Sequence, residues 1–237
     1  MEKRALLHQG KVKAIWATDD PDLCIAQFSD RITAGDGDKK AEFQGKGALL
    51  NKISSLLFAR LAERGVASHF VQVLDDTSML VKHAQLLPLE VVVRNRTAGS
   101  ICRRLGLETN LVIDPPLVEF FWKNDALHDP LLTQAHIRML NLATLEQCVA
   151  IMEQALAVNG ELTEIFAAVG LDLVDFKLEF GLIAGKVILI DEISPDTCRL
   201  WLTGTTHGLD KDRFRLCNGD VLEGYREVLQ RLEAANQ

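Results

Sequence analysis

The chain has 237 residues, a net charge of −7, and is 48% apolar and 25% charged. That is an ordinary globular balance, long enough for one large domain or two modest lobes. The acidic balance argues against a general nucleic-acid binder, and no apolar run nears the roughly 18 residues needed to cross a bilayer. The opening segment MEKRALLHQGKVK lacks the apolar core of a signal peptide. Five scattered cysteines (Cys24, Cys102, Cys148, Cys198, Cys217) form no CxxC and no zinc-ligand spacing with histidine, so they read as reduced thiols of a cytoplasmic protein.

Residues 10–16 and 23–28 read as strands around the turn Asp19-Asp20-Pro21-Asp22. Lys11 and Lys13 share a face of the first strand. That face is either merely solvated or a pair of ammonium groups aimed at phosphates, with Gly10 allowing close backbone approach. Residues 29–40 show no periodicity and read as loop, with Asp36 between two glycines as a turn residue or part of a functional loop. Leu49, Leu50, Ile53, Leu56, Leu57 and Leu61 predict a helix over 47–64, ended by Gly65. Strands follow over 66–73 and 78–82. The segment 82–87, closed by Pro88, is the candidate boundary between lobes 1–82 and 83–237, and a crossing strand there could offer backbone groups to an adenine ring.

A strand over 89–96 places Glu90, Arg94 and Arg96 on one face and Val91 and Val93 on the other. Ser100 reads as the N-cap of a short helix over 101–105, stopped by Gly106. Arginines ending beside that helix start make a phosphate site, or simply a capped helix with surface arginines. Asp114-Pro115-Pro116 reads as a turn into a strand over 117–122. The polar run from Lys123 to Pro130 is either a site or a set of turn formers, with His128 structural. Thr144 and Gln147 form a capping box opening a helix to about 168, with Leu145, Val149, Met152, Leu156, Ile165 and Phe166 inward and Gly160 bending or splitting it. Residues 203–208 read as loop, 210–215 as a helix start, and 220–232 as a last packing helix.

Residues 174–199 read as a hairpin. Phe176, Leu178 and Phe180 alternate with Lys177 and Glu179, giving one apolar and one charged face, and 187–190 is a continuous apolar run ending in Asp191-Glu192. If Ala184-Gly185-Lys186 is the loop, Ile183 pairs with Val187 and Glu179 falls opposite Asp191 on one face. Two such carboxylates need a cation between them, and Mg²⁺ suits oxygen ligands of this kind. A two-residue loop would put the two acids on opposite faces, so the metal reading depends on register.

Taken together, GKVK (10–13), TAGDGDK (33–39), EVVVRNRTAGS (90–100), KNDALHDP (123–130), DFKLEFG (175–181) and DEISPDTCRLW (191–201) resemble the SAICAR synthetase family over essentially the whole chain. Val12, Trp16 and Thr197-Cys198 depart from the family pattern, none at a charged position. The resemblance implies an α+β fold, with an N-terminal mostly antiparallel sheet lobe carrying a helix, a larger C-terminal α/β lobe and ATP in the cleft between them. It implies an ATP- and Mg²⁺-dependent ligase joining L-aspartate to the carboxylate of carboxyaminoimidazole ribonucleotide (CAIR) through an acyl phosphate. It assigns Lys11, Lys13, Lys82 and Lys123 to ATP, and Glu179 and Asp191 to the metal. Glu90, Arg94, Ser100, Asp129, Asp196, Arg199 and Arg215 fall to the substrates, and Lys177 and Asp36 to catalysis. It also implies a homodimer without nucleic-acid or membrane partners. A small-molecule kinase would need the same lysines and carboxylates, and a non-catalytic nucleotide-binding module would need fewer of them.

Overall fold

The computed structural model describes residues 1–34 and 39–235. β1 (Leu6–Gln9), β2 (Lys13–Ala17) and β3 (Leu23–Phe28) form an antiparallel meander. β2 starts later than the sequence pattern suggests, so Lys11 lies in the bend before it and shares no strand face with Lys13. β4 (Arg31–Ala34) and β5 (Lys39–Glu42) pair as a ribbon where the sequence reads as loop. Four residues are too few to display a period of two.

α1 (Lys46–Glu63) buries Leu50, Ile53, Leu57, Phe58 and Leu61. It closes with Val66 N–H donating to Leu61 O (2.9 Å) and Gly65 N–H to Ala62 O (3.0 Å). That pairing requires the left-handed backbone Gly65 adopts at φ 83°. β6 (Phe70–Asp75) and β7 (Ser78–Lys82) then form a hairpin. Among the described residues these strands build a five-stranded sheet in the order β1-β2-β3-β7-β6.

The second sheet begins with β8 (Gln85–Arg96), followed by α2 (Ser100–Leu105) and β9 (Val112–Trp122). β9 runs straight through Asp114-Pro115-Pro116, where a turn is expected. A 3-10 turn over Asp125–Leu127, β10 (Leu131–Leu132), α3 (Gln134–Met139) and α4 (Leu145–Ala167) lead to β11 (Leu171–Ile183), β12 (Lys186–Ile190) and β13 (Cys198–Leu202). α5 (Asp212–Arg215) and α6 (Val221–Ala234) end the described fold, with the Asp220 side chain accepting from Leu222 and Glu223 N–H. The strand order is β10-β9-β8-β11-β12, with β13 also on β11. This is an α+β architecture of antiparallel sheets and helices.

α4 has the expected capping box at Thr144 and Gln147 and passes Gly160 unbroken. Its buried face is Cys148, Ile151, Ala155, Val158, Leu162 and Ile165. Leu145, Val149 and Leu156, expected inward, are instead 59%, 44% and 41% exposed, while Ile165 and Phe166 are buried as expected. Both stripes have helical spacing; the sheet selects the one with small side chains, because Cys148 and Ala155 let the helix sit close.

The two sheets divide the chain near residues 82–85, but one hydrophobic cluster runs through both, from Cys24, Ala26 and Phe28 through the α1 leucines to Val91, Leu162 and Phe176. Ser68 bridges Leu189 of β12, and His69 N–H donates to Leu189 O (2.9 Å). That tie lies two residues before Asp191.

Candidate active site

β11 is central, with β8 on one side and β12 and β13 on the other. Its Phe176, Leu178 and Phe180 are buried as the alternation predicts, and Glu179 on the opposite face is only 5% exposed. That polar face carries Asp175, Lys177 and Glu179, opposite Arg94, Val92 and Glu90 of β8.

The β11–β12 loop has two residues, Ala184-Gly185, both at positive φ (49° and 78°), as a type I′ hairpin requires. Ile183 therefore pairs with Lys186 and Glu179 with Ile190, which overturns the three-residue loop and the direct Glu179–Asp191 pairing. Asp191 still reaches the cluster. It lies one residue past β12 at φ 72°, a left-handed conformation that breaks the strand alternation at that point. The acid directly opposite Glu179 is Glu90.

Like charges so placed repel, and lysines intervene. Lys177 Nζ lies 2.5 Å from Glu179 Oε1, 3.2 Å from Asp191 Oδ2 and 3.5 Å from Glu90 Oε1. Lys123 Nζ lies 2.7 Å from Glu179 Oε1 and 3.8 Å from Glu90 Oε1. Lys13 Nζ bonds Asp191 Oδ1 and sits over the Phe28 ring. Burial would pull the Lys177 pKa down, but Glu179, Asp191 and Glu90 outweigh it and hold it well above the ordinary lysine value. Burial likewise opposes ionisation of Asp191, yet Lys13, Lys177 and Lys123 hold its pKa well below the carboxylate range. Lys177 thus stands as an ammonium among three carboxylates.

One step along β11, Asp175 holds two arginines. Arg94 donates from Nη1 to Asp175 Oδ2 (2.8 Å), from Nε to Glu119 (2.7 Å) and from Nη2 to Ser100 Oγ (3.0 Å). Arg199 Nη1 lies 2.6 and 2.5 Å from the two Asp175 oxygens, and its Nε donates to Asp212 (2.6 Å). Burial weakens the Arg199 hold on its proton, but Asp175 and Asp212 more than restore it, so its pKa stands above the usual arginine value. Arg215 reaches Asp212 from the rim (2.6 Å). Ser100 is the first residue of α2, the cap position falls to Gly99, and the Ser100 hydroxyl accepts from Arg94 instead of capping. A Cβ at Gly99 (φ 63°) would lie 2.8 Å from Arg199 Nη2.

Other expected site residues lie elsewhere. Lys11 pairs with Asp125 (2.8 Å) at the rim. Asp129 accepts from Asn124 N–H (2.7 Å), closing the 3-10 turn that follows Lys123. Lys82 is exposed at the end of β7. Asp196, expected at the ribose, is buried with both oxygens engaged, one by Lys46 Nζ (2.7 Å) and one by the Tyr225 hydroxyl. In this arrangement Asp196 ties Lys46 of α1 to Tyr225 of α6. Asp36 lies outside the described residues. Asp175, Glu119, Asp212 and Lys46 escape the residue-by-residue reading; only the position of Asp175 on the charged face of the β11 alternation signals its place.

The SAICAR synthetase family model matches residues 6–232. The phosphoribosylaminoimidazole-succinocarboxamide synthase of Persephonella marina is 50% identical over 233 residues, covering 98% of each chain. The chain belongs to the SAICAR synthetase family. The synthase of Bacillus cytotoxicus is 48% identical over 237 residues, covering 100% of this chain and 99% of the relative. Among solved structures, the Ehrlichia chaffeensis synthase superposes with a TM-score of 0.94 at 42% identity, covering 97% of this chain and 99% of its own. A SAICAR synthetase in complex with ADP gives 0.92 at 44% identity, covering 95% and 96%. As a SAICAR synthetase family member the chain is an ATP-dependent ligase of purine biosynthesis. No helix among its described residues is long and apolar enough to cross a membrane.

Proposed function

We propose that the chain joins L-aspartate to the carboxylate of CAIR, consuming ATP and giving the succinocarboxamide, ADP and phosphate. One observation carries this reading: Asp175, Lys177 and Glu179 stand at alternate positions on one face of β11. The arginine pocket and the acid–lysine cluster are therefore neighbours, about 7 Å apart along the strand. A ribotide whose 5′-phosphate sits among Arg94, Ser100 and Arg199, with Arg215 at the rim, presents its far end to Lys177.

A carboxylate resists amine attack because oxide is a poor leaving group. Transfer of a phosphoryl group from ATP makes an acyl phosphate and ADP; the aspartate amine then attacks the acyl carbon, the C–O bond breaks and phosphate leaves. Such catalysis is mostly positioning and charge neutralisation. The Lys177 ammonium neutralises the carboxylate being activated. Lys13 and Lys123, both paired to acids of the cluster, suit the nucleotide phosphates, with Lys11 at the rim and Lys82 outlying candidates. Glu90 and Asp129 remain candidate substrate contacts. Glu179 and Asp191 are hard oxygen donors of the type and number Mg²⁺ takes beside nucleotide phosphates, so they would hold the ion. When bound, it supplies further neutralisation of phosphate charge. No side-chain nucleophile is needed.

The test is a coupled assay of the purified chain with Mg·ATP, CAIR and aspartate. ADP release that requires aspartate supports the reading. ADP release without an amine acceptor indicates a kinase, and no turnover under any combination rejects the ligase.

A further inference from the structure

We propose that Lys39 and Cys217 form a peroxide-driven modification site, in which oxidation ties the Lys39 amine to the Cys217 sulfur. Lys39 opens β5 and Cys217 lies between α5 and α6, 178 positions apart in sequence, yet Nζ and Sγ are 2.8 Å apart. The lysine is held there: Nζ also donates to Phe214 O and sits 4.3 Å from the Phe214 ring centroid. Cys217 adopts φ 52°, which non-glycine residues seldom enter. Cys24, Cys148 and Cys198 are buried and Cys102 is partly covered, whereas Cys217 is exposed. A cavity of about 290 Å³ lined by Lys39, Phe43, Arg213, Phe214 and Cys217 gives a small oxidant an approach.

The chemistry balances with one peroxide. The thiol sulfur attacks a peroxide oxygen, the O–O bond breaks, and sulfenic acid and water form. The Lys39 amine, having released one proton, attacks the sulfur; the N–S bond forms, the S–O bond breaks and a second water leaves. Sulfur is oxidised by two electrons and peroxide is reduced. Sulfenic acids condense in this way with nearby thiols and backbone nitrogens, and the Lys39 nitrogen already touches the sulfur. A thiol reductant reverses the step, returning thiol and amine and taking up the oxidising equivalent as a disulfide. None of this involves the residues assigned to the ligase.

The test is hydrogen peroxide treatment of the full chain, followed by digestion and mass spectrometry. The expected product is a peptide pair joining Lys39 to Cys217, lighter than the sum of its parts by two hydrogens. Dithiothreitol abolishes it, and it is absent from Cys217→Ser and from Lys39→Arg, which keeps the charge but condenses poorly. Recovery of Cys217 only as sulfinic or sulfonic acid would overturn the proposal. So would oxidation of Cys102 with Cys217 untouched.

Discussion

Glu179 and Glu90 stand directly opposite each other on β11 and β8, and Lys177 and Lys123 each reach both carboxylates. Removing either lysine leaves a single ammonium between two facing acids.

Lys177→Met is expected to lower kcat by about 10²–10³-fold, the usual cost of losing a charge aimed at a developing anion. The melting temperature falls as well, because Lys123 alone then offsets the repulsion between Glu179 and Glu90. Adding Glu90→Gln restores the melt without restoring turnover. Recovery of both together would show that Lys177 acts only as a structural counterion.

Gly99→Ala tests the arginine pocket without touching a charge. Its Cβ would displace Arg199, whose Nη2 lies within 2.8 Å of that position. Losing charge-assisted hydrogen bonds of roughly 1.5–3 kcal/mol raises the KM for the ribotide roughly ten- to hundredfold. The KM for ATP stays put. Equal changes in both constants would contradict the placement of the phosphate among these arginines.

Lys46→Met should unfold at markedly lower urea concentration. Lys46 is fully buried against Asp196, and removing one member of such a pair costs about 3–5 kcal/mol. Lys46→Met with Asp196→Asn regains part of the loss. A midpoint unchanged in the single variant would show that the pair carries no stability.

Asp210 supplies a pH dependence. It is fully buried, and burial with Asp212 close by pushes its pKa from 3.8 up to about 7, although Asp212 and Leu200 N–H donate to it. The folded chain therefore keeps a proton that the unfolded chain has lost, and this group's contribution to stability falls as pH rises from about 4 to 7. His69 has the opposite sign. Its pKa is lowered to about 3, chiefly by burial, so its contribution falls as pH drops below about 6.5. The difference between wild type and Asp210→Asn isolates the first effect: urea midpoints between about pH 5 and pH 8 should show the wild type losing stability relative to the variant. Parallel curves would refute it.

Much of the β11 strand was legible in the sequence because Phe176, Leu178 and Phe180 obey a period that only a strand explains. The hairpin register was not. Ala184-Gly185 and Ala184-Gly185-Lys186 are both acceptable loops, and what brings Asp191 back to the cluster is a single positive φ that no composition announces. Ser100 looks like a cap because serines usually cap; Arg94, folded onto it from β8, takes the hydroxyl. Leu145, Val149 and Leu156 make as good an inward stripe as the true one, and only the neighbouring sheet chooses. Lys46 and Asp196 meet across 150 positions, a distance over which local pattern carries no information.

Three carboxylates, Glu90, Glu179 and Asp191, stand against three ammonium groups, Lys13, Lys123 and Lys177. The cluster is in effect an ion exchanger loaded with its own salt. A ligand of one sign would strand three charges of that sign in a partly buried space. A ligand that brings cation and polyanion together swaps partners on both sides and leaves the local charge nearly constant. For the proposed site, a metal-bound nucleotide is therefore the ligand that costs least to admit, less than either component alone.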